Sequence, residues 1–252
     1  MNKLKKRISL MSRVILFYNL FRHKNYEVEM HFLNILCDKR KISIDIGARR
    51  GKYSFIMEKY SKVVYAFDPN PDVAILFKSH YPKVIFSNDA ISNKNGVANY
   101  RIAIDDPSIS TIEKDNFLNE YHGSIENKII GTRTLDSYGY DNIGTIKIDV
   151  EGHELSVLQG SDILLDKYSP ILIIEIEERH KPNNLCSIID LLESKGYRGF
   201  FIYKNKFNEI SDFQVRTHQS IEHNKITPNL KSYINNFIFV HKSSELYQKF
   251  YF

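Results

Sequence analysis

Acids standing at the ends of short apolar runs are the first groups in this sequence that can do chemistry. In Ile44-Asp45-Ile46-Gly47-Ala48-Arg49-Arg50-Gly51 an acid lies two positions before the first glycine, where a strand would end and a helix begin. Glycines there let the backbone approach a ligand closely, and a helix amino terminus offers unbonded N–H groups. A pyrophosphate cofactor would want the spacing G-x-G-x-x-G. That spacing is absent, which argues against a nicotinamide-dependent oxidoreductase, and Asp45 would repel a pyrophosphate while attracting an ammonium. S-adenosylmethionine carries an amino group and a sulfonium centre, so it suits such a turn, with Asp45, Gly47, Ala48 and Gly51 as candidate contacts.

Two further strand tips continue the pattern. Val63-Val64-Tyr65-Ala66-Phe67 runs into Asp68 and Pro69. A carboxylate at that place can take both ribose hydroxyls of a nucleoside, by the logic of the second strand in nucleotide-binding folds. The third run ends in Ser87-Asn88-Asp89-Ala90-Ile91, where Asn88, Asp89 or Ala90 can meet the adenine edge.

The fourth run, Thr145–Ile148, ends on Asp149. Methyl transfer is an in-line displacement, so much of its catalysis is positioning. A hydroxyl acceptor must also lose its proton, and a placed base contributes about 10²- to 10⁴-fold. Asp149 is the first candidate base because open α/β sheets carry their sites at the carboxyl ends of strands. Glu151 and His153 follow on the same turn, His153 reading equally as a surface residue at a helix start. Glu154 is either a first-turn acid complementing the helix dipole or a substrate contact. At the fifth run, Glu175, Glu177 and His180 share one edge, so either one of the two acids pairs with a cation or they line a polar pocket. Asp149, Glu151 and Glu175 could hold Mg²⁺, but no spacing requires a metal and none is expected.

These tips need strands and helices in alternation to position them. Ile42–Ile46, Val63–Phe67, Val84–Phe86, Thr145–Ile148 and Ile171–Ile176 read as strands, and Tyr53–Tyr60, Pro71–Ser79, Glu154–Leu165 and Asn184–Lys195 as helices. Pro71 suits the first helical position and Gly196 a helix end. The pattern is α/β: a Rossmann-like, doubly wound, mostly parallel sheet. Arg198–Tyr203, Phe207–Ile210 and Asn236–His241 have no helix between them and imply an antiparallel edge. Residues 105–128 are polar and weakly periodic, a candidate lid over the substrate. Ahead of the domain (residues 41–252), residues 1–40 read as a helical extension with patterns over Ile8–Arg22 and Tyr26–Arg40; the second puts Val28, Phe32, Ile35 and Leu36 on one face.

The strand tips, together with the run Lys147-Ile148-Asp149-Val150-Glu151-Gly152-His153-Glu154-Leu155-Ser156-Val157-Leu158-Gln159-Gly160, resemble the FkbM family of methyltransferases. Phe67-Asp68-Pro69-Asn70-Pro71, Arg133-Thr134-Leu135-Asp136 and Ile174-Glu175-Ile176 stand in that family's order, over about Ile42 to His241. The resemblance implies a class I methyltransferase fold, S-adenosylmethionine as donor, and a hydroxyl acceptor on a glycan, glycolipid or small natural product. Two positions depart from the family. Asp68 stands where Glu is frequent, which keeps the carboxylate. Arg49 stands where Asn is common; it can swing to solvent, pair with Asp68, face an anionic acceptor, or block the cofactor turn and leave a non-catalytic member.

Composition narrows the partners. Over 252 residues, 35 basic against 30 acidic side chains leave a net charge of +5, too mild for phosphate tracking along nucleic acid. Asp149-Val150-Glu151-Gly152 is also not the strand-four motif of amino-group methylases. Two widely spaced cysteines indicate neither a disulfide framework nor a zinc site and fit a reducing cytoplasm. Ile8–Phe21, interrupted by Arg13 and Asn19 and preceded by Lys3, Lys5, Lys6 and Arg7, is too short to span a bilayer. It reads as an amphipathic helix packed on the domain or lying at the inner membrane surface. The expectation is O-methylation in cell-surface polysaccharide or glycolipid biosynthesis, with a small secondary metabolite as the alternative acceptor and the oligomeric state left open.

Overall fold

In the computed structural model, residues 27–219 and 233–251 are described. The helical reading of Ile8–Arg22 and its membrane contact lie outside them. Eight strands form the main sheet: β1 (Ile42–Ile46), β2 (Val63–Phe67), β3 (Val84–Ser87), β7 (Ile143–Ile148), β8 (Ile171–Glu175), β9 (Tyr197–Tyr203), β10 (Lys206–Glu209) and β11 (Asn236–His241). Their spatial order is β10-β9-β11-β8-β7-β1-β2-β3. Strands β3, β2, β1, β7 and β8 pair in parallel, while β11 runs antiparallel between β8 and β9. The fold is the doubly wound α/β class that the strand–helix alternation predicts. The antiparallel part is larger than one edge strand, because β11 inserts between β8 and the β9–β10 hairpin.

Both faces are covered, so parallel strands such as β1 are buried along their whole length. Helices α1 (Leu33–Leu36), α2 (Lys52–Tyr60) and α3 (Pro71–His80) lie over one face, with Leu33, Met57 and Phe77 packed against Ala66 and Ile173. Helices α4 (Glu154–Gln159), α5 (Asp162–Tyr168) and α6 (Asn184–Ser194) cover the other, with Leu158, Leu165 and Ile188 against Ile146 and Ile174. Pro71 opens α3 behind an Asn70 cap that accepts the Asp72 N–H.

The single helix expected over Glu154–Leu165 is two. A Cβ on Gly160 would stand 2.0 Å from the Ser92 carbonyl oxygen, so the chain must bend where it crosses that loop. The second half restarts on Asp136, whose two carboxylate oxygens accept the N–H groups of Ile163 and Leu164. The helix expected over Tyr26–Arg40 is also shorter: a 3₁₀ segment, Val28–Phe32, runs into α1 and stops at Cys37. The two pieces together bury Met30, Leu33 and Leu36 and leave Ile35 45% exposed, so the apolar face is not the one expected from Val28, Phe32, Ile35 and Leu36.

Residues 104–124 are not a free lid. Strands β5 (Gly96–Ala103) and β6 (Ile125–Arg133) form an antiparallel pair with β4 (Ala90–Ile91) beside β6, and the segment between them is the tip of that hairpin. Arg101 ties the tip to its own stem, through Asn119 and the Glu113 carbonyl.

The segment 27–37 is docked through polar atoms as well as apolar ones. Tyr53 donates its hydroxyl to Glu27 at 2.7 Å, and Thr145 donates to the Leu36 carbonyl at 2.5 Å. Glu29 is buried beside Glu27, and burial pushes its carboxyl up to about 7. A carboxyl raised on folding favours the native state while both states hold the proton; it penalises folding as pH climbs from about 4.5 to about 7. Glu29→Gln should therefore melt higher than wild type at pH 8, by up to about 3 kcal/mol of unfolding free energy. The gain should vanish below about pH 4.5. Thermal denaturation at both pH values checks this, and equal melting at pH 8 would refute it.

Candidate active site

The strand order reverses between β1 and β7, and a cleft opens there over the carboxyl ends of β1, β2 and β7, at the position where such sheets bind ligands. It encloses about 770 Å³ including its open mouth. Gly47, Asp68, Pro69, Asp89, Ala90, Asp149, Glu151 and His153 line it. Tyr100 and Thr111 of the β5–β6 hairpin form a wall.

The β1 turn is built by backbone crowding. Gly47 adopts φ +79°, and a Cβ there would stand 1.7 Å from the Asp149 carbonyl oxygen, so only glycine lets the two strand ends meet. The N–H groups of Gly47 and Ala48 donate to the Phe67 carbonyl, and Gly51 caps α2 in the left-handed region. Asp45 is buried and accepts both the N–H and the hydroxyl of Ser54, holding the first turn of α2. Burial raises its carboxyl to about 6, opposed by Ser54 and Lys147. Asp45 thus lies beneath the turn and reaches solvent only through a second, polar pocket shared with Gly47, Arg50, Tyr53, Lys147 and Asp149.

Asp68 sits in the cleft where a ribose acceptor is expected. Its oxygens accept the N–H groups of Arg49 and Asn70 at 2.8 and 2.9 Å, which fixes the carboxylate, and burial raises it to about 6. Asp89 faces the same cleft and accepts from Ser87 and Tyr138. Asn88 is exposed and donates to the carbonyls of Asp68 and Asn70, so it shapes the β2 tip from outside the cleft. The Arg49 backbone, at φ +46°, supplies the contact to Asp68, while its side chain is exposed on the rim between the cleft and the polar pocket.

Around β7 and β8 the charged residues separate by environment. Lys147 is buried, with its ammonium 3.1 Å from Asn236 Oδ1, 3.9 Å from Glu175 Oε2 and 5.0 Å from the Tyr53 ring centre. Burial opposes its charge, but Asp149, Glu175, Glu27 and Asp45 surround it and raise its pKa. Glu175 is committed to Lys147 and Asn235, away from the cleft, and Glu177 pairs with Arg179 and accepts the Tyr233 hydroxyl. Each acid has a cation, so the pairing expected of one holds for both. Among the described residues no group of three or more His, Cys, Asp or Glu side chains converges as a metal site, so Asp149, Glu151 and Glu175 are not gathered into one.

Glu151 lines the cleft with φ +55° and pairs with His180 Nδ1 at 2.8 Å. Burial pushes its carboxyl to about 7, against the His180 bond. His180 is buried behind it rather than in the cleft wall. His153 has both ring nitrogens engaged: Nε2 lies 2.9 Å from Ser92 Oγ and Nδ1 3.0 Å from Glu113 Oε2. That pairing makes it a clamp between the turn and the hairpin tip, so a base role there would require breaking it. Glu154 is buried, accepts the Gly152 N–H and the Asn184 amide, and holds the turn from below instead of meeting substrate.

Several site residues escape sequence reasoning. Lys147 carried a signal, a lysine inside an apolar strand. Glu113, bound to His153 and Lys181, had none, because its role depends on where the hairpin tip lands. The tip is pinned again by Thr111 donating to the Val150 carbonyl and Asn116 to the Glu151 carbonyl.

The cleft fits S-adenosylmethionine on its own chemistry. Asp68, Asp89, Asp149 and Glu151 give it acids for a cationic ligand, and the glycine at position 47 leaves the floor without a side chain. Gly47→Ala should displace the Asp149 strand end and weaken S-adenosylhomocysteine binding by more than about 10-fold, since the new methyl group cannot be accommodated without backbone movement. Calorimetry on folded variant protein checks this; unchanged affinity would refute the crowding argument.

Comparison with known proteins agrees with the site. The profile of the methyltransferase FkbM domain matches residues 45–198, more than half of the chain and the stretch holding every cleft residue named above. No curated protein matches. Among solved structures, an FkbM methyltransferase from Methylobacillus flagellatus superposes with a TM-score of 0.49 at 15% identity, covering 87% of this chain and 46% of that one. This chain therefore spans less than half the length of that protein. An rRNA methylase from Streptococcus thermophilus gives a TM-score of 0.48 at 11% identity, covering 84% and 93% of the two chains. A protein from Streptococcus mutans solved in complex with SAH gives 0.45 at 11% identity, covering 84% and 95%. At these levels none of the three likenesses bears on what the chain acts upon. With its profile match and the cleft at the head of its sheet, the chain belongs to the FkbM family of methyltransferases, with S-adenosylmethionine as cofactor.

Proposed function

We propose that the chain methylates a hydroxyl group, that of a sugar in a cell-surface polysaccharide or glycolipid, and that Glu151 takes the hydroxyl proton. The observation that carries the reading is Glu151 itself. It is a carboxylate in the cleft wall, fixed by His180 and pushed to about 7, where a base is both ionised and basic near neutral pH. When bound, S-adenosylmethionine supplies an electrophilic methyl group on a good leaving group. The chain's own residues then hold the ribose (Asp68), close the floor (Gly47) and place a base beside the acceptor oxygen (Glu151, with Asp149 two residues before it on the same turn). His153 and Glu113 keep the hairpin tip against this turn, which supports exclusion of water from the acceptor.

The exposed Arg49 side chain, which lines both the cleft and the polar pocket, supports an acceptor carrying negative charge. Among the described residues no helix is long and apolar enough to cross a membrane. Work at the cytoplasmic membrane surface would fall to the basic stretch before residue 27.

The test is transfer of labelled methyl from S-adenosylmethionine into fractionated envelope material. Label confined to low-molecular-mass products would replace the polysaccharide with a small metabolite. The rate should rise with pH through about 7, because Glu151 must lose its proton to act. Glu151→Gln should lower turnover by about 10²-fold or more with little change in S-adenosylhomocysteine affinity. If Asp149→Asn has that effect and Glu151→Gln does not, the base is Asp149. Asp68→Ala should instead weaken S-adenosylhomocysteine by about 1.5–3 kcal/mol, about 10- to 150-fold. Unchanged affinity in the folded variant would remove Asp68 from the ribose site.

A further inference from the structure

His180 is a buried imidazole between two carboxylates from different segments. Its Nδ1 meets Glu151 Oε2 at 2.8 Å, and its Nε2 lies 3.9 Å from Glu177 Oε2. Only Glu151 reaches the cleft; His180 is 3% exposed and Glu177 5%. Glu177 is itself fixed, by Arg179, by the Tyr233 hydroxyl at 2.6 Å and by the Asn235 amide at 3.3 Å. The arrangement has the parts of an acid–base unit: a group facing the reactant, an imidazole bound behind it, and a second carboxylate near enough to stabilise the ring's cation.

We propose that His180 is a positioning residue that, held as an imidazolium between Glu151 and Glu177, donates its Nδ1–H to Glu151 and keeps that carboxylate ionised and oriented towards the acceptor hydroxyl. The inference rests on the reading of Glu151 as the base. The acceptor O–H bond breaks and its proton joins the Glu151 oxygen that His180 does not bind. The imidazolium keeps both of its ring protons throughout. After product release Glu151 gives the proton to water, so the unit ends each cycle as it began, with one proton delivered to solvent.

The charges around the ring favour the imidazolium. Glu151 faces it from the turn after β7 and Glu177 from the segment after β8, both anionic partners of an imidazolium. Glu154, at the start of α4, lies near enough for the imidazolium to lower its carboxyl, although burial raises it overall. Arg179 is the opposing cation, and it is bound to Glu177. Burial disfavours charge on His180, but the Glu151 bond and the two carboxylates outweigh it and raise the ring above an ordinary histidine. A buried histidine with a packing role alone would be moved the other way.

The test needs no acceptor. In the ¹⁵N-labelled full chain with S-adenosylhomocysteine bound, the His180 ring nitrogens are followed against pH by NMR and assigned with His180→Gln. Their midpoint should lie above that of a solvent-exposed histidine. It should fall by about one pH unit or more in Glu151→Gln and in Glu177→Gln, isosteric changes that each remove one charge. A midpoint below the exposed value in wild type, or one unmoved by either substitution, would overturn the positioning role. S-adenosylhomocysteine affinity is read on the same samples. Its absence in wild type would instead overturn the donor site, and so separates that failure from failure of His180.

Discussion

A single buried ammonium organises the carboxyl ends of the central strands. Lys147 is buried on β7, where Glu27, Asp45, Asp149 and Glu175 converge from the segment before α1, β1, the end of β7 and β8. Bringing four acids to adjoining strand ends would be prohibitive without a cation, because an unpaired buried charge costs several kcal/mol. Removing one partner from such a cluster commonly costs about 3–5 kcal/mol, since the remaining charge is left unpaired. The Asn236 amide, which bridges Lys147 and Glu27, draws β11 into the same network and ties the antiparallel part of the sheet to the site.

Backbone contact does the second share of the positioning. At Gly47 the β1 turn touches the Asp149 carbonyl, and at Gly160 the break between α4 and α5 touches the Ser92 carbonyl. Between those contacts the Asp149–Glu154 turn has no room to shift as a unit. The hairpin tip is then fixed to it through Thr111, Asn116 and the Glu113–His153 pair, which makes the tip a built wall of the cleft. Glu113 is held at about 2 by His153 and Lys181 despite its burial, so this attachment keeps its charge across the physiological range.

The acids that look alike in sequence divide by what surrounds them. Asp45 holds the start of α2, Glu154 the turn beneath the cleft, and Glu175 and Glu177 each a cation. Asp68 is fixed by two N–H groups but stays in the cleft, and Glu151 alone is both cleft-facing and paired to a histidine. Environment, rather than residue type, separates support from chemistry here.

What the sequence determined by itself was the fold class, the strand tips and the order of the candidate residues along them, because hydrophobic period and turn glycines are local properties that survive without tertiary context. It put Asp68, Gly47, Asp149 and Glu151 at strand ends, where they line the cleft. Helix boundaries failed where contacts distant in the chain intervened: Gly160 against Ser92 broke one helix, and the burial of Met30, Leu33 and Leu36 across a 3₁₀ segment and a short helix shortened another. Only the tertiary structure decided which acids face the cleft, that His153 is a clamp, that Lys147 is the shared cation, and that His180 stands behind Glu151. Each of those depends on pairs separated by about 30 residues or more in the chain, such as Glu113 with His153 and Lys147 with Asn236, and no local pattern encodes them.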